Sequence, residues 1–254
     1  MRAALRTRSA SAAARSLENA KRKRGSAQPQ DAKRKRGSAQ PQEMTAATAS
    51  MDKEKIGQAL EHLRRADPVM GDVIRRAGPF RLKPRRDRFH ALVSSILSQQ
   101  ISGKAAASIR ARLEEYVAPQ RISPESLSRL TPRQLRAIGI SPQKSAYLLD
   151  LAERVGSGGL RLRRLARMAD EQVIEALIQV KGIGVWTAQM FLIFSLGRLD
   201  VFPHEDLGVR VAIRNLYGLE DLPDKETSYR IAMPWRPYAS VASWYCWRSL
   251  EFKD

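Results

Sequence analysis

The sequence predicts an all-α fold in which two helical subdomains flank a cleft, with a disordered basic tail in front of them. Apolar residues recur at helical spacing from about residue 51 onward, and no segment alternates apolar and polar residues over the length of a strand. The 254 residues are 43% hydrophobic, which is enough for one large core or for two small ones that share a cleft. Typical helix lengths then give roughly ten helices.

Residues 1–50 differ in composition from the rest of the chain. They are rich in Ala, Ser, Arg, Gln and Lys, contain no aromatic residue, and carry the segment KRKRGSAQPQ twice, at Lys21–Gln30 and Lys33–Gln42. Such a segment cannot bury enough apolar surface to offset the loss of chain entropy on folding. We therefore predict a disordered basic tail over residues 1–50 and one folded domain over residues 51–254. A DNA-binding arm, an address signal, an organelle transit peptide and a passive solvated tail remain alternative interpretations.

The net charge of +19 points to a polyanionic partner, with nucleic acid as the first candidate. Residues 1–50 hold 12 basic and 3 acidic side chains, a net of +9, so the other 204 residues still carry +10. The one cysteine, Cys246, excludes a disulfide within the chain and any all-cysteine zinc or iron–sulfur site, and is typical of a reducing compartment. No run of about 18 apolar residues occurs, so we expect no membrane span.

Apolar spacing also places the main core helices. Their buried faces are predicted to be Phe89, Leu92, Val93, Ile96 and Leu97; Ala105, Ile109, Leu113 and Tyr116; Tyr147, Leu148, Leu151 and Val155; and Val173, Ile174, Leu177 and Ile178. Ser141 followed by Pro142 is a helix start, with a cap residue and a proline at the first helical position, and Gly156 can end that helix. Asp170 opens the next one.

The most informative stretch runs from Leu177 to Met190. One helix ends near Gln179, the residues KGIG make a tight turn, and a second helix starts at once, so that a helix-hairpin-helix motif spans about 170–197. The glycines permit backbone angles and close approaches that a side chain would forbid. Amides at the start of a helix can bind a phosphate group. This assigns phosphate binding to Lys181, Gly182, Ile183, Gly184 and Thr187. An ordinary tight corner between two helices remains the alternative for the hairpin taken alone.

The segment after the hairpin makes the pattern more specific. KGIGVWTAQM, followed by DVFPHEDLGVR, resembles the helix-hairpin-helix DNA glycosylase superfamily, and within it the 3-methyladenine DNA glycosylase II (AlkA) type. The segments Phe89–Ile109 and Leu135–Val155 resemble other helices of that family, and the resemblance runs from about Phe89 to Trp247. The larger AlkA-type members carry an N-terminal β domain for which this chain has no room, so the compact form is expected.

The resemblance implies a reaction and a catalytic residue. It implies a monofunctional N-glycosylase that flips alkylated bases of the 3-methyladenine and 7-methylguanine type out of double-stranded DNA and hydrolyses their glycosidic bond. The family's catalytic aspartate falls on Asp206, where a carboxylate would stabilise the positive charge that develops on the sugar. An aspartate directly before a helix is also a standard N-cap, and the two roles can coexist. Asp200 and Glu205 are interpreted as structural.

The resemblance also implies the walls of the base pocket. Trp235 matches the family segment that supplies a stacking tryptophan, and Trp186, Met190 and Tyr238 are further candidates, although all four could instead be core residues. Relatives with lyase activity carry a lysine where this chain has Trp186. Because an indole has no amine to form a Schiff base, we expect no strand cleavage.

Two further features come from the same resemblance. The loop Ser98–Ser102 is matched to the family segment that fills the gap left by a flipped base. Gln100 takes that role, with Gln99 beside it. An ordinary turn between two helices remains the alternative interpretation. The carbonyls of Ile178, Val180 and Ile183 are matched to a site for sodium or potassium.

The implied protein is a monomer that requires no cofactor, has no iron–sulfur cluster, and acts in the cytoplasm if bacterial or in the nucleus if eukaryotic. Two alternatives remain open, a non-enzymatic helix-hairpin-helix DNA-binding protein and a glycosylase for a different lesion.

Overall fold

The computed structural model describes residues 51–252, so the predicted tail over residues 1–50 lies outside the described residues. The described part of the chain contains thirteen α-helices and no strand. This number exceeds the roughly ten helices expected from typical helix lengths, because several helices are a single turn. They are α1 Lys53–Ala66, α2 Pro68–Ala77, α3 Arg88–Ser98, α4 Gly103–Val117, α5 Pro124–Ser128, α6 Pro132–Ala137, α7 Pro142–Gly156, α8 Leu162–Leu165, α9 Asp170–Leu177, α10 Val185–Phe191, α11 Leu207–Leu216, α12 Lys225–Ala232 and α13 Ala239–Ser249. A π-helical turn, Leu192–Leu196, continues α10, and a 3₁₀ turn, Met233–Trp235, follows α12.

The helices enclose two hydrophobic clusters, which confirms the predicted pair of helical subdomains. The first cluster is formed by α3 to α10, with fully buried residues such as Ile96, Leu148 and Leu177. The second is formed by α1, α2, α11 and α13, with Leu63, Trp235 and Tyr245 at its centre. Trp247 packs against both clusters, and it therefore lies at the junction of the two subdomains.

Most of the predicted helical faces are confirmed. The five apolar residues predicted for α3 are all buried, from Phe89 to Leu97. The face of α4 is rotated from the prediction, since Tyr116 is exposed and Val117 is buried in its place. In α9, Val173 and Leu177 are buried, whereas Ile178 is exposed because the helix ends at Leu177 and the chain turns away there.

The predicted helix boundaries follow capping chemistry. The hydroxyl of Ser141 accepts the Lys144 amide and Pro142 occupies the first position of α7, as the sequence indicates. That helix ends at Gly156, also as predicted. None of the helices between residues 51 and 252 is both long and apolar enough to cross a bilayer.

Candidate active site

Asp206 lies at the N-terminus of α11 and is nearly buried, with 9% of its surface exposed. Its Oδ1 atom accepts the backbone N–H of Val209 at 2.9 Å, which is the N-cap bond expected for an aspartate at this position. The cap role is therefore real, but it uses only part of the hydrogen-bonding capacity of the carboxylate. The other donors come from two tryptophans of distant segments.

Two indole groups hold the Asp206 carboxylate, one at each oxygen. The Nε1–H of Trp186 donates to Oδ2 at 2.9 Å, and the Nε1–H of Trp247 donates to Oδ1 at 2.8 Å. Trp186 keeps 40% of its surface exposed, so one part of its ring holds the carboxylate while another part faces solvent. Trp186 is predicted at the site from the sequence but Trp247 is not, because no spacing or motif links Trp247 to Asp206, which lies 41 positions before it.

The hairpin packs against α7 through a glycine and a carboxylate. Gly182 has a φ of +79°, and a Cβ atom added to it would lie 2.1 Å from Cδ2 of Tyr147, so only glycine fits there. Asp150 Oδ2 accepts the backbone N–H of Lys181 at 3.0 Å, and Arg154 donates to the same oxygen at 2.9 Å. Hydrogen bonds from Lys181 and Arg154, with the Coulombic attraction of both side chains, outweigh burial and lower the pKa of Asp150.

The phosphate-binding prediction for the hairpin needs one correction. The amides of Lys181 and Ile183 are used within the protein, by Asp150 and by the Val180 carbonyl at 3.1 Å, so neither is available as a phosphate donor. The ammonium group of Lys181 remains largely exposed, and Gly184 opens α10 without a side-chain cap. The uncapped first turn of α10 and the exposed Lys181 side chain thus remain the candidate phosphate contacts of this hairpin.

The loop Ser98–Ser102 lies next to the hairpin. Gln99 donates from Nε2 to the carbonyl of Gly182 at 2.8 Å, which fixes the loop to the hairpin. Gln100 is exposed and has a φ of +57°, a conformation rare for a residue with a side chain. The Lys144 amine donates to the carbonyl of Leu97 at 2.7 Å at the end of α3, and burial lowers the pKa of this amine. Gln99 is therefore a link between loop and hairpin, and Gln100 projects from it.

Two concavities adjoin these elements. One of about 510 Å³ lies between the loop and the hairpin and is lined by both glutamines, by Tyr147 and by Trp186. Another of about 380 Å³ lies between α3, α4 and α10 and is lined by Met190, Phe194 and serines of α3. Thr187, which is buried, lines both of them. The ring of Phe194 stacks on that of Trp247 with 5.5 Å between centroids, which connects the second concavity to Asp206.

The structure does not place Trp235 where a base could stack on it. Its side chain is completely buried, and its indole N–H donates to Asp67 at 2.8 Å inside the second cluster. The prediction of a base-stacking role is therefore wrong, because the ring is a core residue. Tyr238 packs edge-on against His62 beside the same cluster, and no hydrogen bond joins it to Asp206 in the described residues. Asp200 has a structural role, since it accepts from Arg236 at 2.9 Å.

Comparison with protein families gives a match over most of the folded region. A family described as HhH-GPD superfamily base excision DNA repair protein matches residues 93–237. DNA-3-methyladenine glycosylase 1 of Schizosaccharomyces pombe is 32% identical over 212 residues, which cover 80% of this chain and 93% of that protein. The putative DNA-3-methyladenine glycosylase YfjP of Bacillus subtilis is 34% identical over 169 residues, covering 64% of this chain and 59% of that protein.

Solved structures of 3-methyladenine DNA glycosylases also match this chain. The 3-methyladenine DNA glycosylase Mag1 of S. pombe, in complex with abasic DNA, matches with a TM-score of 0.70 and 31% identity, over 77% of this chain and 97% of that one. A DNA-3-methyladenine glycosidase of Bacillus halodurans matches with a TM-score of 0.70 and 37% identity, over 76% of this chain and 89% of that one.

Proposed function

Because the chain belongs to the HhH-GPD superfamily of base excision DNA repair proteins, we propose that it is a DNA glycosylase that removes alkylated bases by hydrolysis and does not cut the strand. The observation that carries this proposal is the nearly buried Asp206 carboxylate, held by one backbone amide and two indoles beside the hairpin and the loop Ser98–Ser102. The names of the relatives from S. pombe and B. subtilis support the substrate class.

The fixed carboxylate suits the charge that this reaction creates. Breaking the bond between a base and deoxyribose builds positive charge on the sugar. Three N–H donors fix the orientation of the Asp206 oxygens, so the negative charge is in place before the sugar charge develops and little reorganisation is needed. The base leaves with the electron pair of the broken bond, and water adds to the sugar carbon and gives up a proton to the surrounding water, which leaves an abasic site.

Trp186 supports the proposed absence of a lyase step. A lyase needs an amine that attacks the sugar carbon and forms a Schiff base. Trp186 lies at the hairpin position where lyase relatives carry a lysine. The indole N–H of Trp186 donates to Asp206 Oδ2. Lys181 lies on the hairpin as well, but its ammonium lies 3.8 Å from the Asp150 carboxylate and is interpreted as a phosphate contact.

DNA binding is supported by the groups that the hairpin and loop present. The first-turn amides of α10 and the Lys181 ammonium suit a phosphate, which holds a strand without reading its sequence. Gln100 projects from the loop and suits the gap left by a flipped base. The Ile178, Val180 and Ile183 carbonyls would hold a sodium or potassium ion that bridges to phosphate, and Val180 keeps one free lone pair for it after accepting the Ile183 amide.

The choice of alkylated bases is supported by the aromatic surface next to the carboxylate. Alkylation of a purine ring nitrogen gives a cationic base, which an electron-rich ring attracts and which leaves the sugar without strong acid catalysis. Trp186, whose indole N–H bonds to Asp206, keeps 40% of its surface exposed, and Met190 lines the neighbouring concavity. These two residues remain the candidates for the base pocket.

The deciding experiment measures bases released from methylated duplex DNA. Wild-type protein is expected to release methylpurines, whereas Asp206→Asn should release them at least about 1000-fold more slowly and still bind a duplex containing an abasic analogue. Glu205→Gln is the matched control, because it removes the adjacent exposed carboxylate and should leave release unchanged. Binding without release by the wild type would instead indicate a non-enzymatic DNA-binding protein. An adduct trapped by borohydride would contradict the absence of a lyase step.

A further inference from the structure

Trp247, which no motif indicates, bonds directly to the candidate catalytic carboxylate. On the basis of the proposed function, we infer that Trp247 is a positioning residue for Asp206, and that Gly208 is required at its place because any side chain there would disturb their hydrogen bond. Trp247 acts through the carboxylate rather than on the substrate. The inference depends on three observations, namely the hydrogen bond, the support behind the indole and the space at Gly208.

The hydrogen bond from Trp247 fixes the Asp206 carboxylate, which the N-cap bond alone would leave free to rotate. Val209 donates to Oδ1 from the same helix, and this single bond permits rotation of the carboxylate about it. Trp247 donates to the same oxygen from α13 at 2.8 Å, and Trp186 donates to Oδ2 from α10. Donors from three helices define the plane of the carboxylate. Loss of one donor to a charged group in such a set costs on the order of 10- to 100-fold in a rate that depends on the orientation.

The indole of Trp247 is itself held in place. It stacks on Phe194 at an interplanar angle of 27°, and it packs against both hydrophobic clusters. Phe194 belongs to the π-helical turn after α10, a distortion that is frequent at functional sites. The position of Asp206 relative to α10 is therefore set by the packing of the two subdomains, and not by the α11 backbone alone.

Gly208 supplies the space that this arrangement needs. A Cβ atom added there would lie 3.0 Å from Cδ1 of Trp247, 3.3 Å from its Nε1 and 3.1 Å from Oδ1 of Asp206. Gly208 is the second residue of α11, where alanine would normally stabilise the helix by about 0.5–1 kcal/mol. An alanine at this position would thus meet both partners of the hydrogen bond at distances shorter than ordinary contact.

The first experiment compares two tryptophan variants under single-turnover conditions. Trp247→Phe keeps an aromatic ring against Phe194 but removes the N–H, and it should lower the rate of methylpurine release about 10- to 100-fold with affinity for an abasic-analogue duplex within about twofold. Trp244→Phe is the matched control, because Trp244 lies on the same helix and packs on Phe80 instead. Its release rate should be unchanged. An unchanged rate for Trp247→Phe, with active wild type, would overturn the inference and leave the proposed function intact.

The second experiment separates positioning from stability. Gly208→Ala should reduce the release rate several-fold with little change in melting temperature, because the gain in helix stability offsets the small shift that Cβ requires of its neighbours, a combination that a merely structural role would not give. In the Trp247→Phe background there is no hydrogen bond from residue 247 to Asp206 left to disturb, so Gly208→Ala should have little further effect on the rate. Additive losses would overturn the assignment of Gly208. The indole N–H resonance of Trp247 should shift in Gly208→Ala, and that of Trp244 should not.

Discussion

A Cβ atom on Gly182 would overlap the ring of Tyr147, at 2.1 Å from Cδ2 and 2.3 Å from Cε2. The glycine also has a φ of +79°, so its conformation and its surroundings both exclude a side chain. Gly184, two residues later, has a φ of −96° and open space where its Cβ would be. The two glycines of the hairpin therefore differ in role. Gly182 is required by the packing of the hairpin against α7, whereas Gly184 leaves the start of α10 accessible to a phosphate group.

Gly182→Ala and Gly184→Ala should differ in stability. We expect Gly182→Ala to lose about 2–4 kcal/mol of unfolding free energy from strain and overlap, and Gly184→Ala to change it by less than about 0.5 kcal/mol. Urea denaturation followed by circular dichroism measures both. Equal midpoints for the two variants would contradict the role assigned to Tyr147.

Asp67 should be a major source of stability in the second cluster. Its buried carboxylate accepts two amides at the start of α2, the Trp235 indole at 2.8 Å and the Tyr217 hydroxyl. Asp67→Ala would leave those buried donors without a partner, at a cost of about 3–5 kcal/mol. Asp52→Ala removes an exposed aspartate cap from α1 and should cost about 1 kcal/mol, which makes it the matched control. Similar melting temperatures for the two variants would be evidence against this role.

Stability should decline in alkaline solution for an identifiable reason. Burial, and then the hydrogen bond to Asp67, raise the pKa of Tyr217 above its value in an unfolded chain. Below about pH 10 the phenol is protonated in the folded and in the unfolded protein, and its contribution to the free energy of unfolding is complete. Above that pH the unfolded chain loses the proton first, so the free energy of unfolding falls. Tyr217→Phe should flatten the fall in urea midpoint above about pH 10. The remaining slope is expected from Tyr245 and Cys246, whose pKa values are also raised by burial.

Gln100 should matter most when the damaged base is well paired. Removing its side chain takes away the group that projects from the loop, so Gln100→Ala should slow release of a paired methylpurine by about 10-fold. The loss should be smaller when the base opposite the lesion is mismatched, because flipping then costs less. Gln120→Ala removes an exposed glutamine from the turn that follows α4 and serves as the control. An equal loss on both duplexes would exclude a role in flipping.

The basic tail has a test of its own. Residues 1–50 carry 12 basic side chains, and if they touch phosphates their deletion should reduce the dependence of DNA affinity on salt concentration. Affinity measured at several salt concentrations for the full chain and for residues 51–254 gives the two slopes. Identical slopes would identify the segment as a passive tail.

The sequence by itself determined the features that depend on near neighbours. Helical faces such as that of α3, the cap at Ser141 and the cap at Asp206 all follow from contacts three or four residues apart, which the printed order of residues contains. The same reason made it possible to predict the hairpin, the aspartate after it and the DNA repair family from the sequence. The rotated face of α4 shows the limit, because Tyr116 and Val117 are both apolar and only their packing partners decide between them.

Only the tertiary structure decided which aromatic residues serve the site. Trp235 and Trp247 are 12 positions apart in one segment, yet the first is buried against Asp67 and the second donates to Asp206. Likewise, the contact of Asp150 with Lys181 joins residues 31 positions apart. These relationships are set by how whole helices pack within and between the two clusters. Packing depends on the shape of whole helices, and no local spacing encodes it.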